Sequence, residues 1–332
     1  MASTVLVITA LEDVTADWVI AALNARGVPI VRFDPADIGP ELAFGFRIGS
    51  DTPQWNGRLR TASREVELGE VAAVYFRRPT PYAARFEHLP EQERDFAIAE
   101  ARHGLGGVLH SLPHAMYVNH PSAVARADFK PTQLQRFVEL GLKIPPTLIT
   151  NDVEAARKFA AAQERVVYKS FRGLPRGDDN RTGALWTQGV DPDTFDDALM
   201  VTAHLFQAEI PKAGDARVTV VGSRAFAQQI VSPDGALDWR RGNWEELIHT
   251  PIAVPTAIEA ALHSYLDSFG LAFGCFDFAL TGDGDDPEEW WAIECNPNGQ
   301  WGWLPDARAI TEAFADTLTR KEAADHEDAG RP

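Results

Sequence analysis

The stretch FGCFDFAL, followed by the acidic turn TGDGDDP and then EEWWAIECNPNGQ, constrains this chain more than any other. Two runs rich in apolar and aromatic residues, bracketing a turn too charged to be buried, read as a β-hairpin. Side chains alternate faces along a strand, so Cys275 and Asp277 share one face, and Glu294 and Asn296 share a face on the partner. A hairpin symmetric about Asp285 and Asp286 sets Asp277 opposite Glu294, with Cβ atoms about 4.5–5.5 Å apart. Two carboxylates that close need a cation or a shared proton. The oxygen donors Asp277, Glu294 and Asn296 suit Mg²⁺, which keeps waters and takes further ligands from substrate phosphates. The alternative is a solvated pair on an exposed strand face; the apolar neighbours and the two tryptophans beside Glu294 argue against it. The same alternation turns Cys275 and Cys295 to opposite faces, which argues against a disulfide between them.

A metal with phosphates requires cations elsewhere. Lys169 lies in the apolar strand VVYKSF, where its charge needs an anionic partner or an opening to solvent. Lys130 precedes Pro131, a residue favoured in the first turn of a helix, and so stands near a positive helix end. The bland reading of each is a surface lysine with its stem along apolar neighbours. The loop from Arg172 to Gly183 carries three arginines and mobile glycines, suited either to closing over a triphosphate or to plain solvation. Arg217 in ARVTVV and Arg240 in DWRRGN are candidates to clamp a transferring phosphoryl group, since planar guanidinium matches phosphate oxygens.

The remaining chain supplies the frame. Val5–Thr9, a helical pattern through Trp18, Val19, Ala22 and Leu23, and then Ile30, Val31 and Phe33 read as strand, helix, strand. The first turn, TALEDV, lacks the glycines of a dinucleotide fingerprint. Stretches at 44–48 and 58–66, with the strand 72–76, are expected to complete one sheet covered by a helix from about Glu91 to Leu112. The order after that is mixed, so the fold class is α/β with α+β. At 332 residues the chain is long enough for two or three domains of about 100–200 residues. Acidic residues outnumber basic ones 48 to 31, a net charge of -17 that repels nucleic-acid backbones. No apolar stretch approaches the roughly 20 residues needed to span a bilayer, and the start MASTVLVITALEDV has acidic residues where a secretory signal needs basic ones. A cytoplasmic protein is expected, with neither nucleic acid nor membrane among its partners.

A helix lysine, a strand lysine about forty positions on, a glycine-rich loop, the hinge LFQAEIPK, an arginine strand, FDF and IECNPNG together resemble the ATP-grasp superfamily. Within it, YFRRP, FKPTQLQ, VVYKSF, ARVTVVGSRAFAQQI, DWR and IECNPNGQW are similar to the ribosomal peptide maturases that make graspetides, the group of the microviridin ligases. The resemblance implies a pre-grasp domain (1–121), a central lobe (122–205), a C-terminal lobe carrying the metal site (206–319) and a polar tail (320–332). It implies phosphates on Lys130 and Lys169, adenine and ribose on Gln207, Glu209 and Ile210 with Lys212 and Asp215 nearby, and two Mg²⁺ ions at Asp277, Glu294 and Asn296. The hinge departs from the usual Gln-Glu-aromatic order, reading Gln207-Ala208-Glu209, so the acid is displaced by one position and expected on the other face.

The implied reaction is ATP-dependent activation of a substrate carboxylate as an acyl phosphate, then its capture by a hydroxyl or amine. For a graspetide both groups belong to one precursor peptide, with a leader and an acidic, Thr-rich core, and Asp or Glu is joined to Thr, Ser or Lys. Arg77 and Arg78 of YFRRP, and Arg172, then face the substrate; a structural salt bridge is the other reading of the YFRRP pair. The alternatives are a ligase acting on a free amino acid, small molecule or protein C-terminus, and a nucleotide-binding scaffold without catalysis. The family's usual arrangement is a homodimer.

Overall fold

The structure, a computed structural model, describes residues 3–112, 114–171 and 185–320. It divides into two compact units, one of residues 1–122 with 301–332 and the other of residues 123–300.

The first unit opens with β1 (Thr4–Thr9), buried at every position, then α1 (Val14–Ala25) and β2 (Ile30–Phe33). Asp13 caps α1 by accepting from the Ala16 N–H. Next come β3 (Leu42–Gly49), β4 (Thr52–Thr61), β5 (Glu65–Glu67), β6 (Val71–Arg77), α2 (Tyr82–Arg85), α3 (Glu91–Leu109) and β7 (Met116–Val118). β2-β1-β6-β7 form a parallel sheet, the doubly wound start expected from the apolar periodicity. The polar-alternating stretches do not complete that sheet. β3, β4 and β5 make an antiparallel sheet of their own. Alternation marks a one-sided strand but not its partner, and tight reversals between these short strands let them pair with one another first.

The second unit takes in most of α4 (Pro121–Ala127), then α5 (Lys130–Glu139), β8 (Thr147–Thr150), α6 (Val153–Ala161), β9 (Val166–Lys169), β10 (Gln188–Gly189) and β11 (His204–Ala208). It continues through β12 (Gly214–Val221), β13 (Arg224–Val231), β14 (Ile248–Pro251), α7 (Thr256–Phe269), β15 (Phe273–Leu280) and β16 (Trp290–Asn296). A four-stranded sheet runs β10-β9-β11-β8 and a five-stranded antiparallel sheet runs β14-β13-β12-β15-β16. α5 and α7 cover the larger sheet, burying Leu134, Phe137, Tyr265, Phe276 and Trp290 together. α7 ends at Gly270, whose φ of 71° gives the left-handed cap that a residue with Cβ adopts only under strain. A smaller core of Ala156, Val166, Phe195, Leu199 and Phe206 backs the four-stranded sheet.

The last helix, α8 (Ala307–Thr319), belongs with the first unit, although the sequence reading groups it with the C-terminal lobe. The reason is its apolar face. Ile310 and Phe314 are fully buried, and Phe314 lies 5.0 Å from the Trp301 ring and 5.2 Å from Tyr75 of β6. Replacing Phe314 by Ala should therefore cost about 3–5 kcal/mol through lost contact and the cavity left behind. Denaturant unfolding of the full chain measures it, and a loss below about 1 kcal/mol would show that α8 is not part of that core.

Candidate functional site

The hairpin forms as its pattern demands, with one irregularity that matters. Leu280 pairs with Trp290 and Phe278 with Ala292, but Asp277 pairs with Glu294, so Ile293 is an extra residue in β16. This bulge sets the two carboxylates side by side. On the other flank β12 brings Arg217 opposite Asp277. The Arg217 guanidinium donates to both Asp277 oxygens (2.6 and 2.8 Å) and to the Gln300 carbonyl (3.0 Å). Asn296 Nδ2 donates to Asp277 Oδ2 at 3.1 Å. Cys275 and Cys295 are both buried thiols, not joined to each other.

Glu294 meets a second set of cations. Pro131 in the first turn starts α5 at Lys130, whose Nζ is ion-paired with Glu294. Lys169, the last residue of β9, and Arg240 line the same space, the latter with Nη1 3.9 Å from Glu294 Oε1. Arg240 is oriented by Asp238, which accepts from its Nε and Nη2 at 2.8 Å each and is itself 5% exposed. Asp238 also accepts the Thr187 N–H at 3.1 Å. The Arg240 guanidinium stands 5.6 Å over the Trp186 ring.

Burial alone would raise the Glu294 carboxyl, but the charges of Lys130 and Lys169, with the Lys130 hydrogen bond and Arg240, hold it well below the ordinary range. Burial pushes Asp277 up, and Arg217 only partly offsets it against the neighbouring Glu294. Burial lowers Lys169 to about 8, opposed by Glu294 and assisted by repulsion from Lys130 and Arg240.

The hinge follows β11. Gln207 is buried and donates to Thr147 Oγ1 at 3.0 Å, while Glu209 lies just past the strand end. Strand alternation therefore does not govern Glu209. Gln207, Ala208, Glu209 and Ile210 all line one cavity, and Glu209 pairs with Arg165 at 3.2 Å. Lys212 Nζ donates to Asp215 Oδ2 (2.5 Å) and to the Leu237 carbonyl (2.8 Å). This cavity, about 640 Å³, also takes in Lys169, Asp215, Arg240, Asp277 and Glu294. A second, about 1090 Å³, is lined by Lys130, Phe171, Trp186, Cys295 and Asn296, and shares Lys169, Thr187, Arg240 and Glu294 with the first.

Thus, among the described residues, eleven sequence-selected residues of the second unit, from Lys130 to Asn296, line two adjoining cavities, and the twelfth, Arg217, is bonded to Asp277 of the first cavity. Two carboxylates and a side-chain amide, all with oxygen donors, fit a hard divalent cation that completes its shell with phosphate and water. Among the described residues no three His, Cys, Asp or Glu side chains form a group that could hold a metal ion. Arg172 and the rest of its loop lie outside the described residues. In the first unit Arg77 is 1% exposed, its Nε 2.8 Å from Asp13 Oδ2, so of its two readings the structural salt bridge is the one found. Arg78 is exposed, with φ 43°. Sequence reasoning missed Asp238, Gln133 and Trp186; DWR and FKPTQLQ were the available signals for the first two.

Residues 4–125 match the family model of the MvdD pre-ATP grasp domain. The chain is 27% identical to a RiPP-associated ATP-grasp ligase of Chryseobacterium gregarium, solved in complex with ADP and a leader and core peptide, over 95% of this chain and 96% of that one, with a TM-score of 0.85. The chain has the ATP-grasp fold. A second neighbour is the macrocyclase MdnC of Microcystis aeruginosa bound with precursor peptide MdnA, at 29% identity over 95% and 99% of the two chains and a TM-score of 0.81. The macrocyclase MdnB of the same organism gives 27% identity and a TM-score of 0.74 over 95% and 99% of the two chains. No curated protein sequence matches. Among the described residues of the ATP-grasp chain no helix is long and apolar enough to cross a membrane.

The hinge carboxyl Asp215 is pushed up to about 6 by burial, against Lys212. Its ordinary value is 3.8, so the folded chain holds this proton longer than the unfolded one. The stability it lends is present below the ordinary value and is lost as pH rises through about 6. Denaturation of the parent and of Asp215→Asn should then show the difference moving in the variant's favour between about pH 4 and about pH 6. A flat difference would mean an unperturbed carboxyl.

Proposed function

We propose that this protein is an ATP-dependent ligase that closes side-chain ester or amide crosslinks in a ribosomally made precursor peptide. One observation carries the reading. Four cations, Lys130, Lys169, Arg217 and Arg240, stand around the facing carboxylates Asp277 and Glu294 where two cavities meet. Cations in excess of buried carboxylates suit an anionic ligand that brings its own metal. The likeness to peptide-bound ATP-grasp ligases at 27% and 29% identity over 95% of the chain supports a peptide as the acceptor of that chemistry.

In this reading Gln207, Glu209 and Ile210 hold adenine and ribose, with Lys212 and Asp215 beside them. Lys130 and Lys169 hold phosphates. Two Mg²⁺ ions held by Asp277, Glu294 and Asn296 would supply charge neutralisation at those phosphates. A substrate carboxylate oxygen attacks the γ-phosphorus and ADP leaves; a hydroxyl or amine then attacks the acyl carbon, losing its proton as inorganic phosphate departs. Arg240, fixed by Asp238, and Arg217 stabilise negative charge as it develops. Arg78 meets the acidic core of the peptide. Residues 122–205 and 206–300 serve as the central and C-terminal lobes, the chain acts as a homodimer, and the setting is the cytoplasm.

The test is single-turnover dehydration of a short precursor with an acidic, Thr-rich core, followed by intact mass, in which each ring removes one water. Glu294→Gln keeps size and removes one charge from the metal side. It should lose about 3–4 kcal/mol of transition-state stabilisation, roughly a hundred- to a thousandfold in rate, and Asp277→Asn should behave alike. Lys169→Met should weaken ATP binding and abolish its thermal stabilisation while the apo fold persists. Near-parental turnover in both carboxylate variants would reduce the pair to a structural ion-pair network. Turnover of a free amino acid in place of the peptide would favour the small-molecule ligase.

A further inference from the structure

Gln133 lies in α5, three residues after Lys130, and is 3% exposed. Its Nε2 donates to the carbonyls of Ala127 (2.6 Å) and Cys295 (2.8 Å), and its Oε1 accepts the Cys295 N–H at 3.0 Å. One side-chain amide therefore satisfies both backbone groups of a single residue in β16. That strand is an edge of the five-stranded sheet, and an edge presents N–H and C=O groups without a ladder partner. The Gln133 amide stands where the peptide of a further strand would. Along the same strand the Ala292 N–H is taken by the Lys143 carbonyl at 2.7 Å.

The residue so held sits between Glu294 and Asn296, and the helix that holds it also carries Lys130, ion-paired with Glu294. Few side chains can do this. Lysine and arginine offer no acceptor for the N–H, a carboxylate would set charged oxygens against two carbonyls, and asparagine is one carbon short. The remainder of that helix face, Leu134 and Phe137, is apolar core, so a buried amide here needs all of these bonds to offset its desolvation.

We propose that Gln133 is a positioning residue for the metal: by gripping Cys295 it fixes Glu294 and Asn296 where a divalent cation borne by nucleotide phosphates is bound. The inference rests on the ATP-grasp ligase reading and adds to it a residue that acts through β16 rather than as a metal ligand.

The experiment measures Mn²⁺ affinity by electron paramagnetic resonance in the presence of ADP, alongside metal-free ADP affinity and melting temperature. Gln133→Met, which keeps the bulk and removes the amide, should weaken Mn²⁺ binding about 10–100-fold, as loss of a metal ligand's support does elsewhere. Metal-free ADP affinity, set by the hinge, should stay within about threefold, less than about 1 kcal/mol. Leu134→Ala, at the next buried position of α5, removes core packing but none of the hydrogen bonds to β16, and should lower the melting temperature while leaving Mn²⁺ affinity at the parental value. If Gln133→Met does not fold, Gln133→Asn, which retains an amide of shorter reach, should show an intermediate loss. Unchanged Mn²⁺ affinity in a folded Gln133 variant, or an equal loss in Leu134→Ala, would overturn the proposal. A parent chain that takes up no Mn²⁺ with ADP would instead refute the ligase reading on which it rests.

Discussion

Two carboxylates side by side in a protein interior repel each other and resist desolvation, and they stay ionised only where cations are fixed against them. Most of the second unit is arranged around that constraint. β12 exists beside β15 with Arg217 in register with Asp277, α5 begins at Lys130, β9 ends at Lys169, and the Asp238 turn aims Arg240. None of these elements is adjacent in sequence to the pair it serves. The ions are costly: burial holds Lys169 at about 8 and Asp215 at about 6, both shifted toward their neutral forms. A site that keeps such groups together is spending stability on charge placement, as binding sites for strongly anionic ligands do.

The cavities divide the chemistry. The hinge side has buried amide and apolar groups with one internally compensated pair, Lys212 with Asp215, whereas the other side has Lys130, Asn296 and the aromatic wall of Phe171 and Trp186. Lys169, Arg240 and Glu294 belong to both. A ligand whose apolar end enters by the hinge must therefore present its charge at the junction, which is where a second molecule in the adjoining cavity would meet it.

The hairpin was legible because strand alternation is rigid: two carboxylates at a fixed offset from a turn have little choice of partner. Even so, symmetry about Asp285 and Asp286 holds only because of the bulge at Ile293; without it Asp277 would face Ile293. Lys130 was legible from Pro131, and Lys169 from its charge amid apolar residues. Arg77 was ambiguous because its fate depends on Asp13, in another element and 64 positions away, a distance no local pattern encodes. Gln133 stands in the FKPTQLQ stretch, but its part was not legible for a similar reason: a polar residue on a helix gives no hint of which backbone it will meet. The separate sheet of β3, β4 and β5 and the return of α8 to the first unit show the same limit, since periodicity fixes an element's buried face but not what covers it.

That return has a consequence for how the chain is made. The first unit is interrupted after Ser122 and resumes at Trp301, so its buried Trp301 and Phe314 are synthesised only after the whole second unit. At about 5–20 residues per second, a ribosome needs roughly 10–40 s to cross the intervening stretch. Throughout that time Tyr75 and the face of β6 that receives α8 await their cover. The nascent first unit is thus an incomplete fold with an open apolar flank, while the second unit, continuous in sequence, can close as soon as it emerges. Translation order and core completion run in opposite directions, and the segment up to Ser122 depends on the stretch from Trp301 onward to become fully native.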